Sequence, residues 1–525
     1  MVLFVADGTI RFNSFPMAFP TCFLNHRFME NKVTNTSNQK PNFLVIMSDE
    51  HAPMWSSAYG HPFVRTPNMD RLAQQGNTFD AAYCNSPLCV PSRLSFMTGE
   101  HVSNCEGWDN ATPLESDVMT WPYALRLEGY DCALSGKMHL IGPDKLHGFQ
   151  DQLAYDPHGD PPENDRASLN LDSSGRHPIF PWQDGVPTAS DPWPSVQEAC
   201  AGSTPMIDAD DIIEEKALEY LRSEDRQSNP WALCVGFVAP HFPFVVPEPY
   251  FSMYYPKYAD LPANPPGHLE NLPEAARRTR QALNFDGYSE DEVRRARAAY
   301  YGLITYLDDK IGRLLQTLED QGLLENTVVI HTSDHGESLG EHGLWRKMNF
   351  YEQSVRVPLQ VSWPNKLSIG TRHDVPVSLV DVTATILDLA EVSPEVADLM
   401  ELDGESLVPV MSGKEPALKG EAFSEHLAHG TDRPRAMIRK NSFKLCYSHG
   451  DSVGEPSDIE LYDLKNDPGE FENLAGQQKY EDVEKELIAN IMQRWKNADA
   501  LDGKIRNSQK SRLFIRQVLA EKAIF

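Results

Sequence analysis

The sequence predicts an α/β fold, a large and mainly parallel sheet flanked by helices, followed by a smaller C-terminal α+β domain. Three observations predict it. The continuous apolar runs FLVIM, WALCVGFVAP and TVVIHTS have the length and composition of strands buried on both faces. Stretches of helical period separate them, the pattern of a parallel sheet with crossover helices. Beyond about residue 415 the signals change to paired strands, RAMIRKNSFKLCYSH and DIELYDL, and then to helices again.

Taken in order, residues 1–40 show no clear period and end in the polar tract NKVTNTSNQK. They are expected to form a poorly ordered N-terminal extension, with Met17 and Met29 as alternative starts. The α/β domain is expected over 41–415 and the smaller domain over 416–525. The first strand opens at Asn42 and runs directly into charge. Helices are predicted near 67–76, 91–98 and 118–129, and a strand near 130–135. A helix near 208–223 precedes WALCVGFVAP, and a long helix near 290–320 precedes TVVIHTS. Between them, 150–205 is rich in Pro, Asp and Gly and reads as a long irregular insertion, of the kind that borders an active site. Helices near 478–497 and 508–522 close the chain, and there is no internal repeat.

Composition narrows the function. Of 525 residues, 41% are hydrophobic, enough for a sizeable core, and 23% are charged, as in globular proteins. The balance of 47 basic against 76 acidic residues gives a net charge of −29. That excludes a general nucleic-acid binder or a protein held on anionic membrane by charge. An anion-binding site must therefore concentrate its positive charge locally. There is no apolar run of about 18 residues, so no membrane-spanning helix is expected. The start MVLFVADGTIRF lacks the basic region and long apolar run of a signal peptide. Eight cysteines are scattered without a CxxC pair, which argues against a zinc site or a disulfide scaffold. A cytoplasmic protein is expected.

Two apolar strands end in similar clusters: FLVIMSDEH brings Asp49 and Glu50, TVVIHTSDHGE brings Asp334 and His335. In open α/β sheets the ligand crevice lies beyond the carboxyl ends of the strands. Carboxylates gathered there repel unless a cation sits between them, and this donor set suits Ca²⁺, Mg²⁺ or Mn²⁺. Taken singly, an acid at a strand end is as ordinary as a solvated loop or a helix cap; the repetition favours the metal. Between the two clusters lies SPLCVPSRLSFMTG, in which Pro91 suits a first helical turn. A helix start there would offer free N–H groups to an anion beside Cys89, and Arg93, one turn on, could reach back to it. Lys137 and His139 are two apart in GKMHL and would share one side of an extended segment.

These residues carry a family resemblance. C-V-P-S-R at 89–93 matches the C-x-P-x-R signature of the formylglycine-dependent sulfatases, members of the alkaline phosphatase-like superfamily. TPNMDRLAQQG, GYDCALSGKMHL and TSDHGESLGEHGLWRKMNFYEQSVRVPL match further family blocks, and ELYDLKNDPGEFENLA resembles the family's C-terminal hairpin. The resemblance spans about 41–500, and SPLCVPSR with YDCALSGKMHLIGPDKLHGF places it nearest the choline-sulfatase-like subgroup. It implies an alkaline phosphatase-like fold with a catalytic domain over 41–415. It also implies sulfate monoester hydrolysis by a Cys89 oxidised to formylglycine, matured by a formylglycine-generating enzyme. One divalent metal ion, Ca²⁺ before Mn²⁺ or Mg²⁺, is implied on Asp49, Glu50, Cys89, Asp334 and His335. Glu50 departs from the Asp or Gln that relatives often carry. By the same resemblance Asp334 can also take the proton during attack. Arg93 fixes residue 89, Lys137 contacts it and the sulfate, and His139 removes the proton that lets the sulfate leave. His241 in APHFPF and Lys347 in WRKMNF contact the sulfate and assist the leaving oxygen. Asn110 is a further candidate contact to the transferred group, as ordinary a turn residue as it is a ligand.

The partners expected are a small sulfate ester and, in an open oligomeric state, further copies of the chain. Phosphonate monoester or phosphodiester hydrolysis on the same site is the alternative; GKMHL, supplying Lys and His together, favours the sulfatase. A binding protein with an unconverted Cys89 is the reading from another class, and the filling of every catalytic position argues against it. The chain reaches Phe525 without the aromatic-bearing tail of the choline-sulfatase-like proteins. Aryl or bulkier sulfate esters are therefore expected over choline sulfate, unless Trp182 and Trp193 of the insertion supply an aromatic cage.

Overall fold

The computed structural model describes residues 40–158, 182–183, 186–187, 195–224, 229–414, 418–431, 433–450 and 456–521. The expected N-terminal extension, most of the 150–205 insertion with Trp193, and the last residues to Phe525 lie outside them, as do the side chains of Trp182, Leu513, Val518 and Leu519.

The strands of the main sheet are β1 (Asn42–Asp49), β2 (Asn77–Phe79), β3 (Asp131–Gly136), β4 (Asp151–Ala154), β5 (Trp231–Pro240), β6 (Thr327–Ser333), β7 (Leu359–Ser362) and β8 (Thr371–His373). Their order across the sheet is β8-β2-β7-β6-β1-β5-β3-β4. The stretch β6-β1-β5-β3-β4 is parallel throughout, while β7 runs antiparallel to both β6 and β2. The sheet is thus mixed and mainly parallel. One expectation is corrected here: the insertion opens with an ordered strand, β4, because Asp151–Ala154 pairs with the free edge of β3.

Alternation along β1 shows why both faces must be covered. Leu44 and Ile46 join one core with Leu233, Val235, Val329 and the inner faces of helices α4 (Pro205–Arg222) and α5 (Glu290–Asp320). Phe43, Val45 and Met47 join a second core on the other face. It also holds Phe96 of α2 (Cys89–Thr98), Trp121 of α3 (Trp121–Leu127) and Ile386 of α6 (Leu379–Leu389). Helix α1 (Pro67–Gln75) packs Met69 and Leu72 on the first face. The capping box of Ser289 and Glu292 starts α5 where the sequence predicts it.

The C-terminal region builds its own antiparallel sheet of β9 (Glu421–His426), β10 (Arg435–Lys440), β11 (Phe443–His449) and β12 (Pro456–Asp463). Helices α7 (Glu481–Trp495) and α8 (Ala498–Glu521) follow, with Leu487, Ile491, Trp495, Leu501 and Ile505 packed against Phe423, Ile438, Leu445 and Leu461. The sequence showed the β10–β11–β12 meander but not β9, and α8 begins well before the expected residue 508. Its first turns contain Asp499, Asp502 and Gly503, which weaken the helical signal.

Candidate active site

The order of four neighbouring parallel strands, β6-β1-β5-β3, decides where the chemistry collects. Their carboxyl ends deliver, in a row, Asp334 and His335, Asp49 and Glu50, His241, and Lys137 and His139. Close backbone packing makes this row tight. Lys137 N donates to Gly236 O at 2.8 Å, and any Cβ at Gly236 would stand 1.8 Å from Lys137 O. Glycine is required there by contact rather than by torsion.

Helix α2 brings Cys89 as its first residue, and every residue of that helix is buried. Cys89 Sγ lies 3.2 Å from His335 Nε2. The His335 Nδ1 donates to Gly336 O at 3.0 Å, which leaves the lone pair on Nε2 directed at this space. Asp49, Cys89, Asp334 and His335 bring one potential ligand atom each to within 4.8 Å of one another. Four of the five expected metal ligands therefore converge. The fifth, Glu50, joins a neighbouring set with Asp49 and His241.

Arg93 does not reach back to hydrogen-bond Cys89. It crosses to the carboxylates, Nε to Asp334 Oδ2 at 2.8 Å and Nη2 to Asp49 Oδ2 at 3.2 Å, and donates Nη1 to Lys137 O at 2.8 Å. Lys137 Nζ pairs with Asp49 Oδ2. Lys347 Nζ donates to Glu50 Oε2 at 3.0 Å and to His241 Nε2 at 2.8 Å, while His241 Nδ1 donates to Phe242 O at 2.6 Å. That pair of bonds fixes the tautomer of His241: Nε2 accepts, and the transferable proton is on Lys347. Burial pushes the imidazoles of His139 and His241 well below their usual range, with Lys137 and Lys347 respectively adding to it. Burial opposes the Lys347 charge too, but Cys89 and Glu50 outweigh it and hold the ammonium protonated.

Two site residues sit in the left-handed region, Glu50 at φ 64° and His139 at φ 58°. Such backbone persists only where neighbours over-determine it. Glu50 N donates to Asp334 Oδ1 at 3.1 Å and Tyr300 OH to Glu50 O at 2.6 Å. Met138 N and His139 N both donate to Asp156 Oδ2, at 3.0 and 2.5 Å. The bend at His139, not strand alternation, therefore orients it. His158 follows, its ring 5.3 Å from that of His139 and 5.4 Å from that of His241. Sequence reasoning missed Asp156, His158 and Tyr300: the first two lie in the Pro- and Asp-rich insertion, the third inside a regular helix. Asn110 caps α2, its Oδ1 accepting from Val90 N at 3.0 Å.

The donor set passes a test for a hard divalent cation. Asp49 Oδ1 is a fully buried acceptor without a hydrogen-bond partner, a state that is costly unless a cation or substrate group answers it.

Comparison with known proteins decides the family. The sulfatase family profile matches residues 41–392. The chain belongs to the sulfatase family. It is a sulfuric ester hydrolase of the alkaline phosphatase-like fold. The profile of the N-sulphoglucosamine sulphohydrolase C-terminal region matches residues 340–497. A choline-sulfatase of Rhizobium meliloti is 33% identical over 506 residues, covering 93% of this chain and 93% of that protein. An arylsulfatase of Clostridium perfringens is 28% identical over 470 residues, 84% of this chain and 92% of that one. The phosphonate monoester hydrolase of Agrobacterium radiobacter superposes with a TM-score of 0.67 at 26% identity, covering 87% of this chain and 96% of its own. Among the described residues no helix is long and apolar enough to cross a membrane.

Proposed function

We propose that the protein hydrolyses sulfate monoesters with residue 89, oxidised from cysteine to formylglycine, as nucleophile, and with one divalent metal ion. The observation that carries this is the position of Cys89: first residue of a buried helix, its Sγ 3.2 Å from His335 Nε2, within the Asp49–Asp334–His335 set. Asp49, Asp334, His335 and residue 89 would hold the ion, with Glu50 adjoining. Oxygen and imidazole donors suit Ca²⁺ first and Mn²⁺ or Mg²⁺ next. When bound, the ion supplies Lewis-acid polarisation and lowers the pKa of the attacking oxygen.

The remaining work falls to the chain's own side chains. As an aldehyde hydrate, residue 89 presents two hydroxyls; one attacks sulfur and the other later releases the sulfate. Arg93, tied to both Asp49 and Asp334, keeps those carboxylates and residue 89 in register. Lys137 and Lys347 provide positive charge for the sulfate oxygens. Lys347, carrying its proton beside a neutral His241, donates to the departing alkoxide, a poor leaving group without an acid. His139, held neutral by burial, takes the proton from the second hydroxyl as sulfate departs and the aldehyde returns.

Phosphonate monoester hydrolysis is the second reading, favoured by the likeness to the Agrobacterium radiobacter enzyme. The Lys137–His139 pair favours sulfate. Comparing kcat/KM for 4-nitrophenyl sulfate, choline sulfate and a phenyl phosphonate monoester tests the choice. The expected order puts a sulfate ester first; a phosphonate preference would replace this reading with the second. Maturation of Cys89 requires a formylglycine-generating enzyme in the producing cell.

A further inference from the structure

Helix α8 has a buried stripe at Ala498, Leu501, Ile505 and Arg512, the spacing of a single helix face. Three of these are apolar and belong to the core beneath the C-terminal sheet. Arg512 is the exception, at 8% exposure. A buried guanidinium is costly unless it is paired and hydrogen-bonded.

Its partner lies across the chain. Arg512 Nη1 donates to Asp109 Oδ1 at 2.7 Å and Nη2 to Asp109 Oδ2 at 2.6 Å, a two-pronged bond to a carboxylate that is itself 6% exposed. The same carboxylate accepts from Ala111 N at 3.0 Å and Thr112 Oγ1 at 2.9 Å, and so closes the 109–112 turn. Burial pushes the Asp109 carboxyl up, but Arg512 more than reverses this and holds it at about 2. A second contact runs alongside: Lys504 pairs with Glu106 and places its Nζ 5.9 Å from the Trp108 ring.

Asn110 sits inside this clamped turn. Val90 N can only donate, so the Asn110 amide must present its oxygen there, as it does at 3.0 Å. The Nδ2 donors are then the part left for another acceptor, and a sulfate oxygen is an acceptor. We propose that Arg512 is a positioning residue for the sulfatase reaction: by clamping Asp109 it fixes the Asn110 amide against the first turn of α2, which carries residue 89. The C-terminal helix is thereby a working part of a site otherwise built by the α/β sheet. The inference rests on the reading of residue 89 as the nucleophile.

A kinetic double-mutant cycle tests it. kcat/KM for 4-nitrophenyl sulfate is measured for Asn110→Ala, Arg512→Met and the double variant, each corrected for the folded fraction and for conversion of residue 89. Misplacing a contact group by about 1 Å costs on the order of 100-fold, so Arg512→Met is expected to lose about 10- to 100-fold. Arg512→Lys, which keeps the charge but not the fork, recovers part of it. The double variant should be no worse than Asn110→Ala within about threefold. Additive losses, or wild-type kcat/KM in Arg512→Met, would overturn the proposal. Wild-type kcat/KM in Asn110→Ala would overturn it at its last link. If Arg512→Met does not fold, Asp109→Asn takes its place in the cycle with the same expectation. Retained activity in Cys89→Ala would instead sink the underlying reading.

Discussion

Two buried charge clusters share one stretch of chain, residues 347–352, and they differ in how their charges are answered. Lys347 belongs to the cluster at the strand ends; Glu352 belongs to a cluster beneath the C-terminal sheet. There Lys444 donates to Phe350 O at 2.8 Å and Glu352 Oε1 at 3.0 Å and pairs with Glu470. Tyr83 OH donates to Glu352 at 3.0 Å, and Glu352 N to Glu470 Oε2 at 2.8 Å. Glu470 Oε1 there faces the Lys444 ammonium, whereas in the first cluster Asp49 Oδ1 has no hydrogen-bond partner. Glu470 of the second cluster, pushed up by burial to about 7, sides with the first; Glu352 and Glu50 mark the extremes. Burial opposes ionisation at both, but Lys444, Arg439 and Arg356 override it at Glu352, holding it at about 2. At Glu50 burial prevails over Lys347, the neighbouring Glu337 carboxylate adds to it, and the carboxyl is pushed up to about 8. Burial and ion pairing therefore do not mark a site by themselves. An acceptor left open within a set of convergent ligand atoms does.

The sharpest way to break this comparison is at Cys89. Cys89→Ala and Cys89→Ser are expected to lose turnover by several orders of magnitude while keeping the wild-type Tm, since neither forms an aldehyde hydrate in an aerobic host. A tenth of wild-type activity in Cys89→Ala would end the account. Next comes Asp334→Asn, expected to lose on the order of 100-fold in kcat and to bind less metal by elemental analysis, because a hard cation prefers charged oxygen. Chelation should reproduce the loss in the unmutated protein, and full activity in metal-stripped protein would remove the metal.

The second cluster should respond in the opposite sense. Lys444→Met leaves Glu352 and Glu470 without their shared cation, and stability should fall by about 3–5 kcal/mol. Activity per folded molecule should stay near wild type, because Lys444 and its partners lie outside the Asp49–Cys89–Asp334–His335 set. A larger loss of turnover than of stability would erase the distinction between the clusters.

The smallest effect concerns pH and belongs wholly to the stability side. Burial holds His331 and His426 at about 4. A histidine depressed in the folded state stabilises above its unfolded pKa, near 6.5, and that stability is lost as pH falls toward 4. Each should cost about 1 kcal/mol by pH 5.5. Tm should therefore fall between about pH 6.5 and 4, more shallowly in a His331→Gln, His426→Gln variant; an unchanged slope would contradict the assignment.

Much of this was legible in the sequence because strand ends are. FLVIMSDE and TVVIHTSDH show both a buried strand and the charge it delivers, so Asp49, Glu50, Asp334 and His335 stand out before any coordinates. Cys89 was legible through its signature. What stayed hidden depends on pairing across the chain. Asp156 and His158 lie in a segment with no periodicity, and only the edge of β3 gives that segment a strand and a direction. Arg512 looks like any surface arginine on a charged helix; its role appears only when Asp109 is found opposite. Arg93 was expected at Cys89, one turn away, but the Asp49 and Asp334 carboxylates of two neighbouring strands hold it instead.

The reading of the open cluster as an active site stands or falls on a converted Cys89 as its nucleophile. The most direct test is the mass of the peptide that carries residue 89, taken from protein that turns over sulfate esters. The expected mass is that of an aldehyde in place of the thiol, in a fraction that rises and falls with specific activity across preparations. Full specific activity from protein in which residue 89 carries an intact thiol would contradict it.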